Sequence, residues 1–213
     1  MQEIYAPSVN KNKIEIDKLW GKRCLGYNIQ AHYSKSALDA LRDIQVKIMS
    51  HEQNSLNIIP QNALHLTIAW ILATRQDYGM AKDQLWETIG KQCCTELERI
   101  GSTTSKLRVD FKDVVATDKA IILVGYDNGD VDRLRRKVYG RLPIPKETQT
   151  ISNIIHTTLF RYSAPLSNPQ ELLEYLSSLG VDLTTVFSTI SIEKELTYPS
   201  LSSQSLFTVK LND

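Results

Sequence analysis

Cysteine is scarce in this chain, with Cys24, Cys93 and Cys94 the only three in 213 residues. An odd count without Cys-x-x-Cys spacing supplies neither a disulfide framework nor a thiolate zinc site. The adjacent pair reads as two apolar thiols on a buried helix, and the cysteine usage predicts a reducing, cytoplasmic compartment. Charge of one sign is equally scarce. Lys plus Arg number 25 against 24 for Asp plus Glu, a net charge of +1, which argues against a protein that coats duplex DNA by neutralising phosphates. No apolar run approaches the length of a membrane span. The opening MQEIYAPSVNKNK lacks the apolar core of a signal peptide. None of the nine glycines stands in a GxxxxGK loop, and GYDNGD (125–130) reads as a turn rather than a phosphate cradle.

What remains is ordinary globular composition, 42% hydrophobic and 23% charged. The length suits one large domain or two small lobes sharing a core. Residues 1–23 are polar and weakly patterned, an N-terminal extension packed against a domain spanning 24–213. CLGYNIQAHY (24–33) predicts a strand. SKSALDALRDIQVKIM (34–49) predicts a helix, with Leu38, Leu41, Ile44 and Ile48 at helical spacing and Ser34 or Ser36 as cap. NALHLTIAWIL (62–72) is a strand by alternation and apolar content. DQLWETIGKQCCTELERIG (83–101) is a helix with Gly101 as its C-cap, and KLRVDFKDVV (106–115) is a strand. The same order then returns. KAIILVGY (119–126) is a strand, VDRLRRKVYGRL (131–142) a helix and SNIIHTTLFRY (152–162) a strand; NPQELLEYLSSLG (168–180) is a helix. TVFSTISIEKEL (185–196) and SLFTVKL (205–211) supply the last strands. The order suggests two pseudo-repeats, about 24–117 and 118–213.

Each repeat carries a histidine on its second strand with a threonine two residues later: His65-Leu66-Thr67 and His156-Thr157-Thr158. Residues i and i+2 of a strand share a face, so each imidazole stands beside a hydroxyl. The opposite face of the first strand reads Leu64, Leu66, Ile68, Trp70 and Leu72, all apolar. Chance pairing of two of the four histidines with threonine at this spacing is roughly a 3% event on composition. Displacement at a phosphodiester needs a base for the attacking oxygen and an acid for the leaving one, on opposite sides of phosphorus. Histidine serves either task because its ordinary pKa lies near 6.5. Threonine hydroxyls can hold the non-bridging oxygens while charge redistributes. An acid and a base of one residue type predict a bell-shaped pH profile with limbs on either side of near-neutral pH.

LHLTIAWI (64–71) and IIHTTLFRY (154–162) resemble the two motif strands of the 2H phosphoesterase superfamily, which includes bacterial 2′,3′-cyclic phosphodiesterases once described as RNA ligases. Ile155 stands where a proline often precedes the second histidine. The resemblance extends over about residues 24–211. It implies an α+β fold of two lobes related by a pseudo-twofold, with two antiparallel sheets flanking a central cleft and helices outside. It implies His65 and His156 as catalytic residues and Thr67 and Thr158 as phosphate-binding residues, with no metal and no cofactor. The expected substrate is a 2′,3′-cyclic nucleotide or short RNA end, cleaved by a monomer that uses no membrane. Alternatives are a hydrolase of cyclic oligonucleotide signals or RNA tails, or a nucleotide-binding member without catalysis. The N-terminal extension and TYPSLSSQ (197–204) have no counterpart in the resemblance and leave the substrate open.

By strand parity Phe160 and Tyr162 share the catalytic face and are candidates for base or ribose contact, as is Tyr198 beyond the last motif. The same parity turns Arg161 away. His32 and Ser34 also form a His-x-Ser pair, but Ser34 is better placed as a helix cap. His51 falls in a polar stretch. The run RLRRK (133–137) reads as a solvated helix face, and RLPIPKETQTIS (141–152) as a loop able to act as a lid.

Overall fold

A computed structural model describes residues 2–148 and 152–212. The N-terminal extension opens with α1 (Gln2–Asn10), followed by β1 (Arg23–His32) and α2 (Lys35–Met49). Ser34 caps α2 by accepting a hydrogen bond from the Ala37 amide at 3.3 Å, as its position before the apolar periodicity predicts. The chain continues through β2 (Leu56–Ile58), β3 (His65–Leu72), α3 (Lys82–Gly101), β4 (Leu107–Ala116), β5 (Ala120–Tyr126), α4 (Asp130–Arg141) and β6 (Ile155–Tyr162). It ends in α5 (Pro169–Ser178), β7 (Leu183–Phe187), β8 (Thr189–Thr197) and β9 (Ser202–Lys210). Asn168 caps α5, with Pro169 in its first turn.

Two local expectations need correction. The single strand expected over 185–196 is two strands, broken at Ser188, because β7 pairs with β4 while β8 pairs with β1 in the other sheet. Gly101 is not a left-handed cap. It lies inside α3, where a Cβ would stand 3.0 Å from the Val209 side chain, so glycine serves helix–strand contact there. The short β2 was too brief to show in the pattern.

All pairings within the sheets are antiparallel. The four-stranded sheet has the order β3-β1-β8-β9, and the five-stranded sheet β2-β6-β5-β4-β7. Exchanging β1, β3 and β8 for β5, β6 and β4 maps one order onto the other. Each set of three strands therefore takes its first two members from one half of the chain and its third from the other. The strands are apolar on their buried faces (Ile29, Leu66, Ile121, Leu159, Ile192), and these side chains join α2, α4 and α5 in one continuous core.

The N-terminal extension packs on the second lobe. α1 lies against α5 and β4, the Asp17 amide donates to the Tyr162 carbonyl at 2.9 Å, and Asn12 exchanges two side-chain bonds with the Leu166 backbone. Gly125, next to last in β5, would place a Cβ 2.5 Å from Val109 and 3.0 Å from Ile155 and Phe111. Gly180, beyond the end of α5, has open space around it and no positive φ. Gly125→Ala should therefore cost about 1–3 kcal/mol by overpacking, while Gly180→Ala should be neutral or gain about 0.4–1 kcal/mol by restricting the unfolded chain. Urea unfolding of both variants checks the pair, and equal effects would contradict this packing.

Candidate active site

β3 and β6 come from different sheets and pack against each other. Their junction is tied by the Thr157 hydroxyl, which donates to the His65 carbonyl at 3.1 Å. The buried Tyr33 hydroxyl donates in turn to Thr157. Above this seam lies a cavity of about 360 Å³ whose lining includes His65, Thr67, His156 and Thr158. The four residues picked out by the two motifs thus face one space.

Beyond each motif the strand changes face. In the β3–β1 pairing Thr67 lies opposite Gln30 and Ala69 opposite Ile29, leaving Ile68 as an extra residue. In the β6–β5 pairing Thr158 lies opposite Ile122 and Phe160 opposite Ile121, leaving Leu159 extra. A bulge of one residue reverses the alternation of everything after it. Trp70 and Arg161, each five residues past a motif histidine, consequently line the cavity. Phe160 and Tyr162 do the reverse. Both are 0% exposed, and the Tyr162 hydroxyl is spent on the Thr117 carbonyl, so neither can meet a ligand as regular parity predicted. Tyr198 does line the cavity. Its hydroxyl accepts a bond from Arg75 at 3.0 Å, and the Arg75 and Arg161 guanidinium carbons lie 5.1 and 6.0 Å from its ring centre.

Both bulges are held by side chains from helices of the opposite half. Arg135 on α4 donates to the Ile68 and Thr67 carbonyls, each at 3.1 Å, and to Ser152 at 3.0 Å. Gln45 on α2 donates to Leu159 at 3.1 Å and Ile59 at 2.9 Å. Arg135 is 2% exposed and lines the cavity, contrary to the reading of RLRRK as a wholly solvated face. It sits four residues after Val131 and three before Val138, both buried, and that spacing was the available signal.

His65 Nδ1 donates to the Ala63 carbonyl at 2.8 Å. The carbonyl can only accept, so the neutral ring keeps its lone pair on Nε2, which faces the Thr67 hydroxyl at 3.1 Å. His156 Nδ1 is buried, and the Ile154 backbone beside it acts to raise the ring's pKa. Burial is the main cause that brings His65 from 6.5 to about 4, with His32 and His156 adding to the shift and Ala63 and Glu193 opposing it. Burial likewise lowers His156 to about 4, reinforced by Arg135 and Arg161. Asp17, from the N-terminal extension, lies 3.9 Å from Arg161 Nε and 3.8 Å from Arg75 Nη2, so the extension borders the cleft.

His32 is paired directly with His65 across the strands but is outside the cavity, bonded to Ser191 at 2.9 Å and Glu193 at 3.3 Å. His51 stacks on Tyr175 at the surface. Of the loop expected to act as a lid, residues 149–151 lie outside the described residues, while Ser152 lines the cavity. Among the described residues no group of three or more His, Cys, Asp or Glu is placed to hold a metal ion, and no helix is long and apolar enough to cross a membrane.

No protein-family model matches the sequence, and no curated protein is similar enough in sequence to count as a relative. Solved structures are similar in shape. TT0787 of Thermus thermophilus matches with a TM-score of 0.59 at 14% identity, covering 87% of this chain and 97% of that one. E. coli LigT complexed with 3′-AMP matches with a TM-score of 0.59 at 9% identity, covering 90% of this chain and 100% of that one. A structure described as a phosphoesterase gives a TM-score of 0.57 at 10% identity, over 89% of this chain and 99% of that one. The chain has the LigT fold. At these identities the likeness is one of architecture, two antiparallel sheets with helices over nearly the full length of the LigT chain.

The two imidazoles make stability depend on pH with a definite sign. Their folded values near 4 lie below the unfolded 6.5, so the unfolded chain binds more protons between those limits. Their contribution is present above about pH 6.5 and is lost as pH falls towards 4. Wild-type Tm should fall more steeply over this window than that of a His65→Gln/His156→Gln variant. Parallel curves in differential scanning calorimetry would refute the lowered pKa values of these two half-buried rings.

Proposed function

We propose that the chain is a 2H-type phosphoesterase that opens the 2′,3′-cyclic phosphodiester of a nucleotide or RNA end. The observation that carries this reading is the convergence of two imidazoles and two threonine hydroxyls, from different sheets, on one cavity. Water attacks phosphorus in line with the departing ribose oxygen. One imidazole removes the proton from water, and the other gives a proton to the leaving oxygen, so the P–O bond to the ribose breaks as that to water forms. Thr67 and Thr158 hold the non-bridging oxygens through the displacement. Arg161 and the buried charge of Arg135 offset the phosphate's negative charge, and Trp70 and Tyr198 offer ring faces to a base. LigT has been crystallised with 3′-AMP, phosphate, ATP and NADP+, which supports a nucleotide as the ligand class of this fold.

In the free protein at pH 7 both rings are neutral, whereas the chemistry needs one of them protonated. The anionic phosphate raises both pKa values on binding, so substrate enters together with a proton. The ratio kcat/KM reports the free enzyme and should therefore rise as pH falls from about 8 towards about 5. The kcat optimum should lie at higher pH, since it reports the bound state. This moves the kcat/KM profile acidward of the near-neutral limbs expected from unperturbed histidines. A kcat/KM for 2′,3′-cyclic AMP that increases over the same range, from about pH 5 to about pH 8, would overturn the assignment.

Replacing either histidine with alanine should lower turnover by about 10²–10⁴-fold, and Thr67→Val or Thr158→Val by roughly 10–10³-fold. Assays in EDTA against linear and cyclic mononucleotides, cyclic oligonucleotides and tailed RNA identify the substrate and test independence of metal. Full activity in both histidine variants, or its complete loss on chelation, would sink the proposal. Binding without turnover of any substrate would favour a nucleotide-binding role instead.

A further inference from the structure

The bulge at Leu159 decides what the far end of β6 presents to the cleft. Without the extra residue, Phe160 and Tyr162 would face the cavity and Arg161 the core. Such a bulge leaves a kinked backbone whose polar groups need partners off the regular ladder. The Leu159 carbonyl has two: the Ile59 amide at 3.0 Å and Gln45 Nε2 at 3.1 Å. The second hydrogen of the same Gln45 nitrogen goes to the Ile59 carbonyl at 2.9 Å. Gln45 is 1% exposed, and both carbonyls it serves are out of water. Its chemistry is specific. Methionine fills the space and donates nothing, and an ionised glutamate offers only acceptors to two carbonyls.

At the cleft end the guanidinium of Arg161 is held only loosely. Its Nε is buried without a hydrogen-bond partner among the described residues, and the carboxylate of Asp17 stands 3.9 Å away with an unpaired buried oxygen of its own. A pair that long does not fix the direction of Arg161. The backbone turn at Leu159 does so. Arg135, which performs the matching task for the bulge at Ile68, itself lines the cavity, whereas Gln45 acts from behind the strand.

We propose that Gln45 is a positioning residue that sets anion affinity in the cleft by holding the Leu159 bulge and so aiming Arg161. This rests on the reading of the cleft as a phosphodiester site, and it extends that reading to a helix residue that meets no ligand. Loss of the amide donors leaves the Leu159 carbonyl with the Ile59 amide alone and the Ile59 carbonyl without its Gln45 donor, so the kink in β6 is weakened and Arg161 shares its time between cleft and core.

The test is a double-mutant cycle of Gln45→Met and Arg161→Ala, read by calorimetric binding of 3′-AMP and by KM and kcat for 2′,3′-cyclic AMP. Gln45→Met should weaken 3′-AMP binding and raise KM by about 5–50-fold, with kcat changed less. In the Arg161→Ala background the same substitution should change either quantity less than about twofold, because coupled residues do not add. Equal losses in both backgrounds would mean that Gln45 is merely structural, and no loss in either would equally overturn the proposal. If the wild type binds 3′-AMP but cleaves nothing, the phosphoesterase reading fails while the binding cycle still decides this one. If the wild type does neither, a crystal structure of Gln45→Met decides it: the proposal requires Arg161 to be displaced from the cavity wholly or in a second conformer, and a retained bulge with Arg161 fully in place refutes it. Gln45→Asn, too short to reach both carbonyls, serves in every arm if the methionine variant does not fold.

Discussion

The hydroxyl of Thr157 crosses from β6 to the main-chain carbonyl of His65, and the geometry of the cleft depends on that crossing. β3 is the edge of its sheet on this side, so its outward carbonyls have no neighbouring strand to satisfy them. A second sheet can approach only if it brings donors. Thr157 supplies one at His65, and Arg135 supplies others at Thr67 and Ile68. Two histidine-bearing strands of separate sheets are thereby held side by side, with their imidazoles opening onto the same side of the seam. The middle residue of the second motif, which as sequence looks like filler between a histidine and a threonine, links the two halves.

Much of the fold was legible in the residues themselves. The strands and helices predicted ahead of α5 fall within about three residues of those observed, because apolar spacing and caps such as Ser34 are local signals. The four motif residues were legible for the same reason, since i and i+2 share a face whatever the tertiary context. Legibility ended one residue past each threonine. Nothing in Leu66 to Trp70, or in Thr157 to Tyr162, marks an extra residue, because a bulge is stabilised by donors that arrive from elsewhere in the chain. Gln45 and Arg135 are such donors, the first 114 positions from Leu159 and the second 67 from Ile68. The face reversal that brings in Trp70 and Arg161 and removes Phe160 and Tyr162 is a tertiary fact. The split of 185–196 at Ser188 has the same character, for only the destination of each piece in a different sheet separates them.

Burial of the two histidines carries opposing effects. Both rings are half-buried in the cavity wall; reduced water contact favours the neutral form, and a neutral ring costs the fold little at pH 7. The same desolvation strengthens each electrostatic contact once an anion enters. Arg135 illustrates the balance. Its guanidinium is held by three backbone carbonyls, so its charge is solvated by dipoles and is still free to act on whatever occupies the cavity. Burial also lowers its pKa, yet arginine remains protonated across the range where histidine titrates.

The exchange of third strands between the halves has a consequence for biosynthesis. β1 emerges early, but one of its two neighbours is β8, near the end of the chain, with Gln30 paired to Ser191. Until that late segment leaves the ribosome, β1 can complete only one of its two ladders, and the polar groups on its other side stay in water. β4 and β5 meet soon after synthesis and can nucleate the other sheet first. Folding on the ribosome should then proceed outwards from β4 and β5, with β1 enclosed only after β8 has been made.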